Sequence, residues 1–78
     1  EHRIFVQVGA FGDRANAERR LGALSLGGIR DGLIHEERAP ERSLYRVRIG
    51  PVADVVHYDV LVEELENMGI TDPYLIAE

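Results

Sequence analysis

Arg46 and Arg48 stand two residues apart in the alternating run Leu44-Tyr45-Arg46-Val47-Arg48-Ile49, and Gln7 sits between valines in Phe5-Val6-Gln7-Val8-Gly9. Guanidinium forks donate in a plane to carboxylate or carbonyl oxygens, and a primary amide both donates and accepts. Phe5, Phe11 and Tyr74 add flat apolar faces. Together these groups suit stacking on a sugar ring and hydrogen bonding of its substituents. They suggest recognition and no reaction. His2, His35 and His57 are scattered, and Glu36-Glu37 and Glu63-Glu64 fall on stretches expected to face solvent. Paired carboxylates hydrolyse glycosides only when they oppose each other across a bound sugar, and no acidic pair is expected on the face that carries the arginines. With no cysteine, there is neither a thiolate metal site nor the Cys-x-x-Cys loop of a small metal carrier, so no metal or cofactor is expected.

The chain has 78 residues and a formal charge of −5, and all nine of its basic residues are arginine. A net negative charge works against binding a phosphate backbone, which needs several basic groups to neutralise phosphates. Arginine alone is the side chain suited to bidentate reading of carboxylates. The length allows one domain with one modest core, burying about 60% of its unfolded surface. No apolar run approaches the roughly 20 residues of a membrane span. The opening Glu1-His2-Arg3, with no initiator methionine or leader directly before a strand pattern, is what an excised domain would show.

The elements that must position these groups come from an internal repeat. A shift of 41 positions lays Val6-Gln7-Val8-Gly9 on Val47-Arg48-Ile49-Gly50, Asp13 on Asp54, Leu24 on Leu65, and Gly28-Ile29 on Gly69-Ile70. Each unit, 4–38 and 44–78, begins with period-two alternation, which means a strand. Gly9 and Gly50 are expected to turn the chain, and Asp13 and Asp54 to cap a helix. Ala17, Leu21 and Leu24 then recur at helical spacing in the first unit, as do Tyr58, Leu61, Leu65 and Met68 in the second. Glycines end both helices. A second strand follows in each unit, expected over Ile29–Arg38 and Tyr74–Ala77, with a turn across Ala39–Ser43.

The order βαββαβ predicts an α+β, ferredoxin-like fold: a four-stranded antiparallel sheet with both helices on one face and the other face open. Strands one and three should be central neighbours, with Gln7 beside Arg48 and Phe5 beside Arg46. If Ile4, Val6 and Val8 point at the helices, the open face carries Phe5, Gln7, Gly9, Leu44, Arg46, Arg48, Tyr74 and Ile76. Read from periodicity alone, Arg46 and Arg48 either bind a ligand or merely keep a half-exposed sheet wet.

As text, Phe5-Val6-Gln7-Val8-Gly9-Ala10-Phe11, then Asn16-Ala17-Glu18, then Tyr45-Arg46-Val47-Arg48-Ile49-Gly50-Pro51 closely resembles the SPOR domain (sporulation-related repeat) family over nearly the whole chain. The likeness is strongest to the C-terminal domains of the rare lipoprotein A group, whose separate catalytic domain is in some bacteria a lytic transglycosylase. The resemblance implies a non-catalytic periplasmic module that binds peptidoglycan glycan strands stripped of stem peptides at the division septum. Carried over by position, the glycan-contacting glutamine falls on Gln7 and the small residue after the glycine on Ala10, where serine is common in the family. The strand-three arginine falls on Arg46, an aromatic position in some members is Leu44 here, and the strand-four apolar contact falls on Tyr74.

A naked strand ends each lactyl group in a carboxylate instead of an amide, a difference arginine can read. The expected contacts are therefore Arg46 and Arg48 to lactyl carboxylate or N-acetyl oxygens, Gln7 between sugar hydroxyls or N-acetyl groups, and Phe5, Phe11 and Tyr74 against pyranose faces. Asn16 either reaches the glycan edge or caps local backbone. Two other classes share the topology. One is RNA-recognition domains, which want aromatic residues on strand three where this chain has arginines. The other is regulatory ligand-binding domains that dimerise edge to edge, whereas a monomer is expected here.

Overall fold

The computed structural model describes residues 3–78. Along the chain run β1 (Ile4–Phe11), α1 (Arg14–Leu26), β2 (Gly32–Arg38), β3 (Ser43–Ile49), α2 (Val55–Asn67) and β4 (Tyr74–Ala77). The strands form one antiparallel sheet in the order β2-β3-β1-β4. Both crossover helices lie on one face, and the sheet's other face is open. The ferredoxin-like architecture expected from the repeat is the one observed.

Each helix begins and ends by the same chemistry in both repeats. Asp13 accepts from the Ala15 amide and Asp54 from the His57 amide, both at 2.8 Å, which satisfies one otherwise unpaired first-turn donor in each helix. At the other end Gly28 and Gly69 take φ of 93° and 83°, a region that disfavours a Cβ. The amide after each glycine then returns to the helix, Ile29 to the Leu24 carbonyl and Ile70 to that of Leu65, both at 2.9 Å.

Between the layers lies a core built from equivalent positions. Val6, Val8, Val47 and Ile49 from the central strands meet Ala17 and Leu24 of α1 and Leu61 and Leu65 of α2, all buried, with Ile29 and Val52 closing its ends. Leu21, Tyr58 and Met68 complete the expected helix faces as partly buried neighbours.

The structure corrects three local expectations. The second strand starts at Gly32 instead of Ile29, because Ile29 is spent on closing α1 and filling the core. Gly9 does not turn the chain; it lies within β1, where a Cβ would come within 2.7 Å of the Phe11 ring. Gly50 does leave its strand, at φ 151° and with Ile4 and Phe5 crowding the place of a Cβ. The third correction concerns register. Partners in an antiparallel pair advance in opposite directions, so the repeat shift finds Gln7 opposite Arg48 but fails elsewhere: Arg46 faces Ala10, and Phe5 faces Ile76 of β4.

Candidate functional site

A bulge in β1 shapes the open face. The β1–β3 register slips between Gln7 and Gly9, leaving Val8 without a direct partner, and Val8 stays in the core. One extra residue reverses the side on which each later side chain points. Gln7 and Arg48 therefore face the open side, as do Ala10 and Arg46 beyond the bulge, whereas Gly9 pairs with core-facing Val47 and Phe11 with Tyr45. Phe11 accordingly packs against the core under Arg20 of α1, whose guanidinium lies 5.8 Å from the ring centroid. The expected place of Gly9 on the open face is thus corrected, and Phe11, expected against a pyranose face, lies on the helix side of the sheet. The same arginine donates to the Val8 carbonyl at 2.8 Å, a group the bulge takes out of regular pairing.

On the open face four side chains form a chain across the sheet. Glu78, just past β4, accepts from Arg48 Nη1 at 3.1 Å, Arg48 Nε donates to Gln7 Oε1 at a long 3.4 Å, and Gln7 Nε2 donates to the Tyr74 phenol at 2.9 Å. These contacts bury Gln7 to 3% exposure and leave 12% of the Arg48 side chain accessible, while Tyr74 stays 51% exposed. Gln7 and Arg48 are on the expected face but under its surface. They brace the site more than they present to it, which corrects the picture of an exposed amide and two free guanidinium forks. Phe5, at 7% exposure and crowded by the Gly50 turn, is likewise covered, so it offers no open stacking surface.

Of the two β3 arginines Arg46 is the more accessible, with 23% of its side chain exposed against 12% for Arg48. Its Nε donates to Glu37 Oε1 at 2.9 Å, and it lines an open groove of about 420 Å³. Gln7, Ala10, Arg20, Asp72 and Tyr74 line the same groove, which runs from the bulge to the loop between α2 and β4. Of the nine residues expected to contact a ligand, Gln7, Ala10, Arg46 and Tyr74 are gathered here. Leu44 is half-buried near the far end of the sheet, and exposed Asn16 on α1 accepts from Arg19; neither lines the groove.

Strand β2 supplies residues that the sequence pattern did not single out. Ile34 packs on the core and Glu36 reaches Arg14 of α1 at 3.6 Å, so the alternate residues Leu33, His35 and Glu37 lie on the open side, His35 opposite Arg46. Besides Asp72 in the groove wall, Glu37 and Glu78 therefore reach this face, contrary to expectation. Glu37 is on edge strand β2 and Glu78 beyond edge strand β4, three strand spacings or roughly 14 Å apart, too far to work as a glycosidase pair.

A family model for the SPOR domain matches residues 2–77. The chain belongs to the SPOR domain family. A solved SPOR structure, that of the RlpA SPOR domain from Pseudomonas aeruginosa, is similar at a TM-score of 0.77 and 25% identity, over 94% of this chain and 96% of that one. No match was found among curated proteins. SPOR domains are non-catalytic peptidoglycan-binding modules of cell-envelope proteins, so in this one the chemistry to explain is recognition. Its β3 presents Leu44, Arg46 and Arg48 to the open side and turns Tyr45 to the helices, so the strand-three aromatic platform of RNA-recognition domains is not built here. Among the described residues no helix is long and apolar enough to cross a membrane.

Proposed function

We propose that this SPOR domain binds denuded glycan strands, alternating N-acetylglucosamine and N-acetylmuramic acid without stem peptides, along its open sheet face. The observation that carries the reading is the gathering of Gln7, Ala10, Arg46 and Tyr74 into one groove, because these are the positions at which the family pattern expects glycan contacts. Tyr74 offers a ring face to a pyranose, Arg46 offers donors to ring substituents, and Ala10 keeps the floor low between them. At about 420 Å³ the groove falls within the size range of small-ligand clefts. A stem peptide branching from each muramic residue adds bulk that a strand lying flat on the sheet has to accommodate, which favours strands lacking it. Denuded strands are made where amidases act, so the domain, acting as a monomer, would carry its parent protein to the division septum. The test is an exported fluorescent fusion of the domain in dividing cells. A septal band that disappears when the amidases are deleted supports the reading, and uniform peripheral fluorescence in amidase-proficient cells contradicts it.

A further inference from the structure

The open face has a hydrogen-bond polarity as well as a shape. Arginine is donor-only, so the Gln7 atom toward Arg48 must be Oε1, which turns Nε2 toward Tyr74. The Tyr74 oxygen therefore accepts from inside the sheet, and its single proton is left to donate away from Gln7. Across the groove Arg46 spends only Nε on Glu37; its two Nη groups have no partner among the described residues. Exposed Tyr74 and half-buried Arg46 thus both have a donor to offer.

Both arginines of β3 have a carboxylate partner within the fold. Arg46 has Glu37 at 2.9 Å and Arg48 has Glu78 at 3.1 Å. Asp72 adds a negative charge to the groove wall, and Arg20 is turned to the Val8 carbonyl and the Phe11 ring. A ligand carboxylate approaching Arg46 meets the charge of Glu37 beside it, whereas a neutral carbonyl oxygen accepts the same Nη donors without that repulsion.

Resting on the glycan-binding reading, we propose that the groove recognises neutral oxygen acceptors, above all the acetamido carbonyls of N-acetylated sugars, and does not select lactyl carboxylates. Tyr74 Oη and Arg46 Nη are the reading atoms, and Glu37 is a specificity-determining residue that cancels the charge of Arg46. Preference for peptide-free strands then comes from steric exclusion and not from the carboxylate the missing peptide exposes.

The test titrates the domain with denuded glycan, with the same glycan after conversion of its lactyl carboxylates to methylamides, and with a cello-oligosaccharide of equal length that lacks acetamido groups. The methylamide should bind within about threefold of the acid, and raising NaCl to roughly 0.5 M should change either Kd by no more than that. The cello-oligosaccharide should bind at least about tenfold more weakly, as expected when donors lose their acceptors. In Glu37→Gln the acid should bind at least about threefold tighter than the methylamide, with a new salt dependence. A tenfold loss on methylamidation or in high salt, or equal binding of the cello-oligosaccharide, overturns the proposal while leaving glycan binding intact. Failure of unmodified denuded glycan to bind would remove the functional reading itself.

Discussion

The amide of Gln7 in β1 donates to the phenol oxygen of Tyr74 in β4 at 2.9 Å, joining a buried residue to an exposed one across the seam of the two strands. Through Arg48 the same amide is tied to Glu78, so the orientation of the ring at the surface depends on a network beneath it. Replacing Gln7 by leucine keeps its bulk and removes both contacts. Arg48, already largely covered, would lose one of its partners, at a cost of about 1–3 kcal/mol. Urea unfolding should show that loss, and glycan titration a weaker Kd although Gln7 is itself almost inaccessible.

Arg46→Ala should separate binding from stability. Its ion pair with Glu37 is largely exposed on the Glu37 side, and pairs of that kind contribute about 0–1 kcal/mol to folding. Charge-assisted hydrogen bonds to a ligand are worth about 1.5–3 kcal/mol, so affinity for denuded glycan should fall about tenfold or more with little change in Tm.

Phe11→Ala should do the opposite. The ring packs against the core beneath Arg20, on the far side of the sheet from Tyr74, and is only partly buried. Unfolding free energy should drop by about 2 kcal/mol, less than a fully buried phenylalanine loses, while affinity stays within about twofold. A tenfold affinity loss at unchanged stability would return Phe11 to the ligand surface.

Gly69→Ala tests the repeated helix stop. No neighbouring atom would touch the added methyl, so the penalty is that of holding alanine at φ 83°, and a loss of about 1–2 kcal/mol in denaturant unfolding is expected. Gly28, its repeat equivalent at φ 93°, should respond alike.

The architecture was legible because each repeat writes its strand, cap, helix and stop in residue types with strong local meaning: alternating valines, Asp13 and Asp54, Leu24 and Leu65, Gly28 and Gly69. The details of the site were less so, for identifiable reasons. The bulge at Val8 reverses facing for every later residue of β1, and the sign of it was Gly9 inside a strand pattern, where a glycine often marks a bulge. Shifting one repeat along the other describes a translation, whereas the strands are related by antiparallel pairing. Gln7 and Arg48 matched because they lie where the two descriptions cross, and Phe5 and Arg46 did not. Strand β2 alternates weakly, since Glu36 turns to the helix layer as an ion-pair partner of Arg14, and so Glu37 and His35 were not assigned to the open face.

Whether peptide-free glycan occupies the open face is decided by co-sedimentation of the domain with purified sacculi, before and after amidase digestion. Digestion should increase the bound fraction severalfold, and Arg46→Ala should lose most of that increase. Equal binding to intact and digested sacculi, or an increase that Arg46→Ala retains in full, would mean that the open face does not read peptide-free glycan.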